Sequence, residues 1–308
     1  MNQVRTLILF AFLGFGSGIS QAQDFGFDLA AEEAQLAAKF KKMLEADSDS
    51  ERLDWNEKIL LHFEDLLYDE ASFQYPFDSL TSIGILSSDD GLLRIYNWNV
   101  MLSNQSNRYF GFIHYFLERK NEYLVFKLTD RSDELENPEF KSLNHENWYG
   151  ALYTQILTRK YRKETGYTLL AWDGNDGLSK RKLIDYLTFT ASGKPRFAEN
   201  VFEMHYVKDN GIKRIRTQKR VIFEYSARAS MMLRWDPDEK MIVFDHLVPI
   251  QDHYRGNFRF YGPDMTQDAL VFKKGKWIHL EDVDVRRSKN DEARSWQYKP
   301  SEDFYKPK

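Results

Sequence analysis

The 308-residue chain has no cysteine. Disulfides, thiolate nucleophiles and cysteine metal ligands are thereby excluded together, and the fold has to rest on burial alone. Beyond the first 22 residues there is no run apolar enough to cross a bilayer as a helix. There is no phosphate-binding Gly-Lys loop, no dinucleotide fingerprint and, past residue 22, no Gly-x-Ser-x-Gly turn. His145-Glu146 lacks a second histidine four residues after the first, so the helix-borne zinc motif is missing as well. Charge of one sign does not dominate either. Lys and Arg total 43 against 47 Asp and Glu, for a net charge of −4, which argues against nucleic acid as a partner.

What is present begins with an address. The first five residues carry Arg5, an apolar run broken only by Gly14 follows, and Ser20-Gln21-Ala22 places small residues at the −3 and −1 positions of a cleavage site. That layout reads as a secretory signal peptide over 1–22, cleaved near Ala22, with no cysteine to take a lipid. The expected location is the periplasm or the outside of the cell, as a free chain without a transmembrane span.

The aromatic content is heavy, with 23 Phe, 17 Tyr and 7 Trp. Strands packed into a core account for it, and so does an exposed platform that stacks on sugars or peptides. Two amphipathic helices are expected over 28–46 and 49–68. The first carries Leu29, Leu36, Phe40, Met43 and Leu44 on one stripe, the second Ile59, Leu60, Phe63 and Leu67. Ser48 and Glu51 between them form a capping-box pattern, and the short joint makes the pair antiparallel.

From Tyr75 onward the texture changes to short apolar runs separated by turn residues. Strands are expected at 92–98, 109–116, 123–128, 152–157, 167–172, 183–189, 201–207, 221–225, 231–235, 241–247, 270–272 and 277–283. Asx-Gly and Ser-Gly pairs such as Asn210-Gly211 and Ser192-Gly193 supply the positive φ that tight hairpins need. In 183–189, Leu183, Leu187 and Phe189 take one face while Ile184 and Tyr186 take the other, so this sheet is expected to be covered on both sides. The expected fold is mainly β, an antiparallel meander of sandwich or barrel-like form. It is preceded by a helical hairpin over 23–74, occupies 75–286, and ends in a polar tail over 287–308. Trp98-Asn99, Trp172-Asp173 and Trp235-Asp236 resemble the Trp-Asp strand ends of a propeller, but their spacing is unequal, and an Asx residue opening each turn explains them as well.

Several residues are candidates for chemistry. Trp98, Trp172 and Trp235, with Asp173 and Asn175, could bind a ligand near the strand ends. Asp245, His246, Asp252 and His253 offer carboxylate and imidazole ligands to a metal or an acid–base pair, although neighbours on a strand point to opposite faces. Asp173-Gly174-Asn175-Asp176-Gly177 is rich in oxygen ligands but lacks the fifth-position Asx and distal Glu of a calcium loop, so a turn suits it better. Lys213, Arg214, Arg216, Lys219 and Arg220 form the strongest basic run. It reads either as a charged edge strand or as a site for anionic glycans or lipid head groups. No carboxylate pair can be singled out for catalysis, and no cofactor is expected.

Several blocks carry a resemblance. They include Tyr75-Pro76-Phe77-Asp78-Ser79-Leu80, Asp90-Gly91-Leu92-Leu93-Arg94-Ile95-Tyr96-Asn97-Trp98, Val221-Ile222-Phe223-Glu224-Tyr225-Ser226 and Ile242-Val243-Phe244-Asp245-His246-Leu247. With Tyr167 to Asn175, Tyr261-Gly262-Pro263-Asp264 and Lys274-Gly275-Lys276-Trp277, they resemble a family of uncharacterised exported β-rich proteins of Bacteroidota-type bacteria. The resemblance implies localisation and a domain, with no activity attached. It also implies that Asp78-Ser79-Leu80 fits a three-residue O-glycosylation pattern. The expected function is non-enzymatic binding of an envelope component, glycan or partner protein. A hydrolase acting on glycans or peptides is the first alternative, and an assembly factor docking through the helical hairpin the second.

Overall fold

Helix α1 (Leu29–Glu45) starts at Asp28, whose carboxylate accepts from the Ala31 N–H. Helix α2 (Asp49–Leu67) starts at Ser48, whose hydroxyl accepts from the Glu51 N–H at 3.2 Å; only this half of the capping box forms. The computed structural model describes residues 28–207 and 212–284, so the signal peptide, the 209–211 turn and the 287–308 tail lie outside the described residues. Leu36, Phe40 and Met43 of α1 and Ile59, Phe63 and Leu67 of α2 are buried on facing stripes. Leu44 instead faces solvent. No helix among the described residues is long and apolar enough to cross a membrane.

Sixteen strands follow among the described residues. β1 (Gly84–Ser87), β2 (Leu93–Met101), β3 (Asn107–Leu117) and β4 (Glu122–Thr129) form a first antiparallel sheet. Next come β5 (Leu143–Asn144), β6 (Leu152–Tyr161), β7 (Glu164–Asp173), β8 (Ser179–Phe189) and β9 (Pro195–Phe197), then the hairpin of β10 (Phe202–Val207) and β11 (Lys213–Gln218). β12 (Val221–Ser226), β13 (Leu233–Asp236), β14 (Met241–Pro249), β15 (Tyr261–Lys273) and β16 (Lys276–Leu280) complete the chain. The middle sheet is β5-β9-β8-β7-β6 with β12 paired to β8, and the outer sheet runs β11-β10-β16-β15-β14-β13.

The hydrophobic pattern stacks these elements in four layers: helices, first sheet, middle sheet, outer sheet. Tyr96, Trp98, Val100 and Phe112 face the helices and meet Phe40 and Phe63. Leu93, Ile95 and Ile113 on the other face of the first sheet meet Tyr153, Leu169, Leu183 and Leu187 of the middle sheet. Leu170, Ile184 and Tyr186 face the opposite way and pack on Phe202, Ile242, Phe244, Leu270 and Trp277 of the outer sheet. The alternation expected along 183–189 is thus realised, with each face of β8 feeding a separate core. No sheet closes into a barrel.

All twelve strands read from the sequence form. The additional four are short, as in β1, β5 and β9, or highly charged, as in β11. Connectivity departs from strict meander order three times, the first being β5, which pairs with β9 and not with β6. β12 returns to the middle sheet between two strands of the outer one, and β10 lies parallel to β16 through Phe202 and Glu203. After β9 the chain crosses layers at the end where β16 also begins, so both strands run the same way, and Val201 C=O accepts from the Trp277 N–H at 2.8 Å.

Candidate functional site

Loops from the helices, the first sheet and the middle sheet meet at one end of the stack. The Asp49 carboxylate at the helix joint accepts from the Ser103 N–H at 3.0 Å and its hydroxyl at 2.6 Å, tying α2 to the β2–β3 turn. Gly177 in the β7–β8 loop leans on that turn, since a Cβ there would lie 2.4 Å from Gln105 Oε1. Leu178 C=O accepts from the Ala227 N–H at 2.9 Å, which adds the segment after β12.

Between these loops is a cleft of about 200 Å³, walled by Asn104, Ser106, Asn107, Arg108, Ser132, Asp133 and Asn175, with Tyr109, Asp173 and Arg181 as its floor. β7 delivers Asp173 at its last position, and the alternation of β3 and β8 turns Tyr109 and Arg181 to the same inter-sheet side. Asp173 Oδ1 accepts from the Tyr109 hydroxyl at 2.8 Å and the Asn175 N–H at 2.7 Å; Oδ2 accepts from the Tyr149 hydroxyl at 3.3 Å and Arg181 Nη1 at 3.4 Å. The Tyr109 oxygen in turn accepts from the Gly174 N–H at 2.7 Å. A Cβ at 174 would sit 2.4 Å from Asn107 Nδ2, so the wall packs closely on this turn.

The network continues outward. Arg181 Nε donates to Glu224 Oε2 at 2.9 Å, Ser179 Oγ donates to Glu224 Oε1 at 2.6 Å, and Asn175 Nδ2 donates to Ser179 Oγ at 2.7 Å. Burial raises the Asp173 pKa, against the hydrogen bonds from Asn175 and Tyr109, which pull it down. Burial and the Asp173 charge push the Tyr109 and Tyr149 phenols well up, so both remain donors at any ordinary pH. The floor is therefore rigid and satisfied. The chemistry on offer lies in the wall, to which Arg108, Asn104, Asn107 and Asp133 contribute. A larger hollow of about 380 Å³ lies between α1 and the 79–82 turn, lined by Ala37, Phe40, Leu44 and Leu80, with no comparable polar network.

The structure brings Asp173 and Asn175 together in the cleft and separates the other ligand candidates by layer. Trp98 is buried beneath the helices and donates from Nε1 to Asn56 Oδ1 at 2.7 Å. Trp172 neighbours the cleft but sits on the face of β7 turned to the outer sheet. Trp235 packs edge-on against Trp277 at 6.4 Å and under Arg159 at 4.3 Å. Asp173 and Asp236 each open an Asx turn, whereas Asn99 lies inside β2. Asp176 Oδ1 accepts from the Leu178 and Ser179 N–H groups, making 173–177 a set of backbone-bound turn residues.

Asp245 accepts from the Met232 N–H at 2.7 Å and Gln267 Nε2 at 3.3 Å. His246 points elsewhere: its Nδ1 is 2.8 Å from Asp268 Oδ2, and His279 Nε2 is 3.2 Å from the same oxygen. Asp252 pairs with Arg255, and His253 packs against Tyr254 at 3.9 Å. Among the described residues no group of three or more His, Asp or Glu is arranged to hold a metal. The basic run divides. Lys213, Arg214 and Arg216 are exposed and Lys219 is half-buried, but Arg220 is fully buried, so it cannot meet a polyanion. Its Nε lies 3.4 Å from Asp185 Oδ1, and its Nη atoms donate to the carbonyls of Pro138, Lys141 and Phe197.

Tyr109, Tyr149, Arg181 and Glu224 escaped the sequence reading. The available signal was parity: Arg181 shares the inward face of Leu183 and Leu187, where a cation needs a partner. Comparison with known protein families, curated proteins and solved structures finds no match for this chain.

Proposed function

We propose that the chain is a non-enzymatic binding protein, acting outside the cytoplasm, whose site is the cleft over Asp173 and whose ligand is a polyhydroxylated glycan of the envelope. The observation that supports this most is the mixed wall. Arg108, Asn104, Asn107 and Asp133 offer donors and acceptors side by side above a floor whose own hydrogen bonds are already made. Sugar hydroxyls both donate and accept, so they suit such a wall better than a simple anion, which Asp133 would repel. Hydrolysis of a glycan calls for two carboxylates free to work on one bond, and Asp173 is held by four donors.

The test is calorimetric and NMR titration of the protein with soluble peptidoglycan fragments and envelope polysaccharide. The expected affinity is weak, about 10 μM to 1 mM. Arg108→Ala and Asn107→Ala should each weaken binding about tenfold with unchanged melting temperature. Absence of binding across the glycans, or binding indifferent to both substitutions, would sink the reading. The docking alternative is favoured by a different observation: Leu44, Leu53 and Leu61 are exposed on the helices, and Leu44 lines the hollow at 79–82. Stoichiometric capture of one envelope protein, lost in Leu44→Glu, would decide for it.

A further inference from the structure

We propose that the free edge of β11 is a docking strand for an acidic, extended polypeptide segment, which adds to the outer sheet as a seventh strand. β11 is the terminal strand of that sheet and pairs with β10 alone, in an unbroken register from Phe202↔Gln218 to Val207↔Lys213. Backbone direction follows from one hydrogen bond. The His205 N–H donates to His279 Nδ1 at 3.1 Å, on the β16 side and away from β11. Val201 C=O also points to that side, accepting from the Trp277 N–H. In an antiparallel ladder, opposed residues either exchange both bonds or both turn outward. His205 is opposite Ile215, so the N–H and C=O of Ile215 face the free edge, and with a period of two so do those of Lys213 and Thr217. No backbone group among the described residues pairs with them.

The edge is open from Lys213 to Thr217; the next outward donor, the Lys219 N–H, is taken by Glu139 C=O at 2.8 Å. It has no proline and no bulge, and it exposes Ile215 at its centre, where a polar residue would blunt it. Charge selects the occupant. Arg214 and Arg216 share one face, Arg216 braced over the rings of Phe140 at 5.0 Å and Tyr206 at 5.3 Å, and Lys213 flanks the other face, 2.6 Å from Glu281. A second copy added edge to edge about Ile215 would set arginine opposite arginine, which opposes self-association. A segment reading carboxylate–aliphatic–carboxylate places its acids across from Arg216 and Arg214 and its aliphatic side chain beside Ile215. Main-chain bonds then give affinity and the alternating side chains give selectivity.

The test uses the full chain and a fluorescein-labelled Gly-Thr-Glu-Val-Glu-Thr-Gly peptide, read by anisotropy. N-methylation of one set of alternate peptide residues should abolish binding, and methylation of the other set should leave it intact, because only one set faces β11. Ile215→Pro removes an outward N–H that β10 does not use, and should weaken the peptide about tenfold. Arg214→Glu with Arg216→Glu should lose this peptide and gain the Lys-Val-Lys analogue, a rescue that a misfolded variant cannot give. Three outcomes would overturn the proposal: no peptide binding, equal binding of the two methylated peptides, or capture of polygalacturonate in preference to the peptide with no effect of Ile215→Pro.

Discussion

Between the first and middle sheets the chain buries Asn97, Asp173, Asp185 and Arg220. Between the middle and outer sheets it buries Leu170, Ile184, Phe202, Leu270 and Trp277, with the Trp277 indole donating to Thr168 Oγ1 at 2.9 Å. The same strands, β7 and β8, supply both faces. On the first face a chain of groups runs from Trp148 Nε1 to the Tyr153 hydroxyl at 2.7 Å, from that hydroxyl to Asp185 Oδ2 at 3.4 Å, and from Asp185 to Arg220. Displacing either layer there strands a charge, whereas a slip on the other face mainly disturbs packing, together with the Trp277–Thr168 hydrogen bond and the Asp268–His279 pair. The lesson is a division of labour within one sheet: both faces bury an apolar core, and one of them also carries the charged seam and the cleft.

The contrast can be broken most sharply at Arg220. Arg220→Met leaves Asp185 buried and uncompensated, with an expected loss of about 3–5 kcal/mol in urea unfolding, and adding Asp185→Leu should restore most of it. A single variant as stable as the parent would remove the charged seam from the argument. On the apolar face, Leu170→Ala should cost about 3 kcal/mol through its cavity, with no second-site charge change able to rescue it.

The helix-facing side of the first sheet gives a case with a buried base and no acid. His114 has neither ring nitrogen hydrogen-bonded, and burial, helped by Arg94, lowers its pKa to about 3. The unfolded chain takes up that proton below about pH 6.5 and the folded protein does not, so stability falls as pH drops from 6.5 toward 3. His114→Leu should flatten this acid limb, worth on the order of 2 kcal/mol between pH 7 and 5. The smallest effect is expected at the rim of the outer sheet, where the hydrogen bond to Asp268 raises His246. Its contribution is full at low pH and fades as pH rises through that raised value. His246→Gln should change the stability between pH 6 and 9 only slightly, by under about 1 kcal/mol for so exposed a pair, as read by urea unfolding at each pH.

The strands were legible because hydrophobic alternation is a local signal. Both helices, twelve of the strands and the two-sided burial of 183–189 follow from it. The short strand β9 was not, since three residues give no period, and the return of β12 to the middle sheet has no local mark at all. For the candidate site, Asp173 and Asn175 were visible as a turn. Tyr109, Tyr149 and Glu224 reach them from distant strands, and nothing in their own neighbourhoods announces it. Arg220 shows the opposite failure: a run of like residues suggested one role, and the register placed its last member inside the protein.

The crossing of β12 between layers bears on how this chain can be assembled. Helices and first sheet are finished by residue 129, so they can collapse as soon as they emerge during synthesis. The middle sheet waits for β12, and the outer sheet waits for β16, whose Trp277 finds Thr168 across 109 residues. Neither C-terminal sheet can close before the other has begun. A chain cut before β12 should therefore leave the N-terminal layers folded and the remainder exposed to proteases.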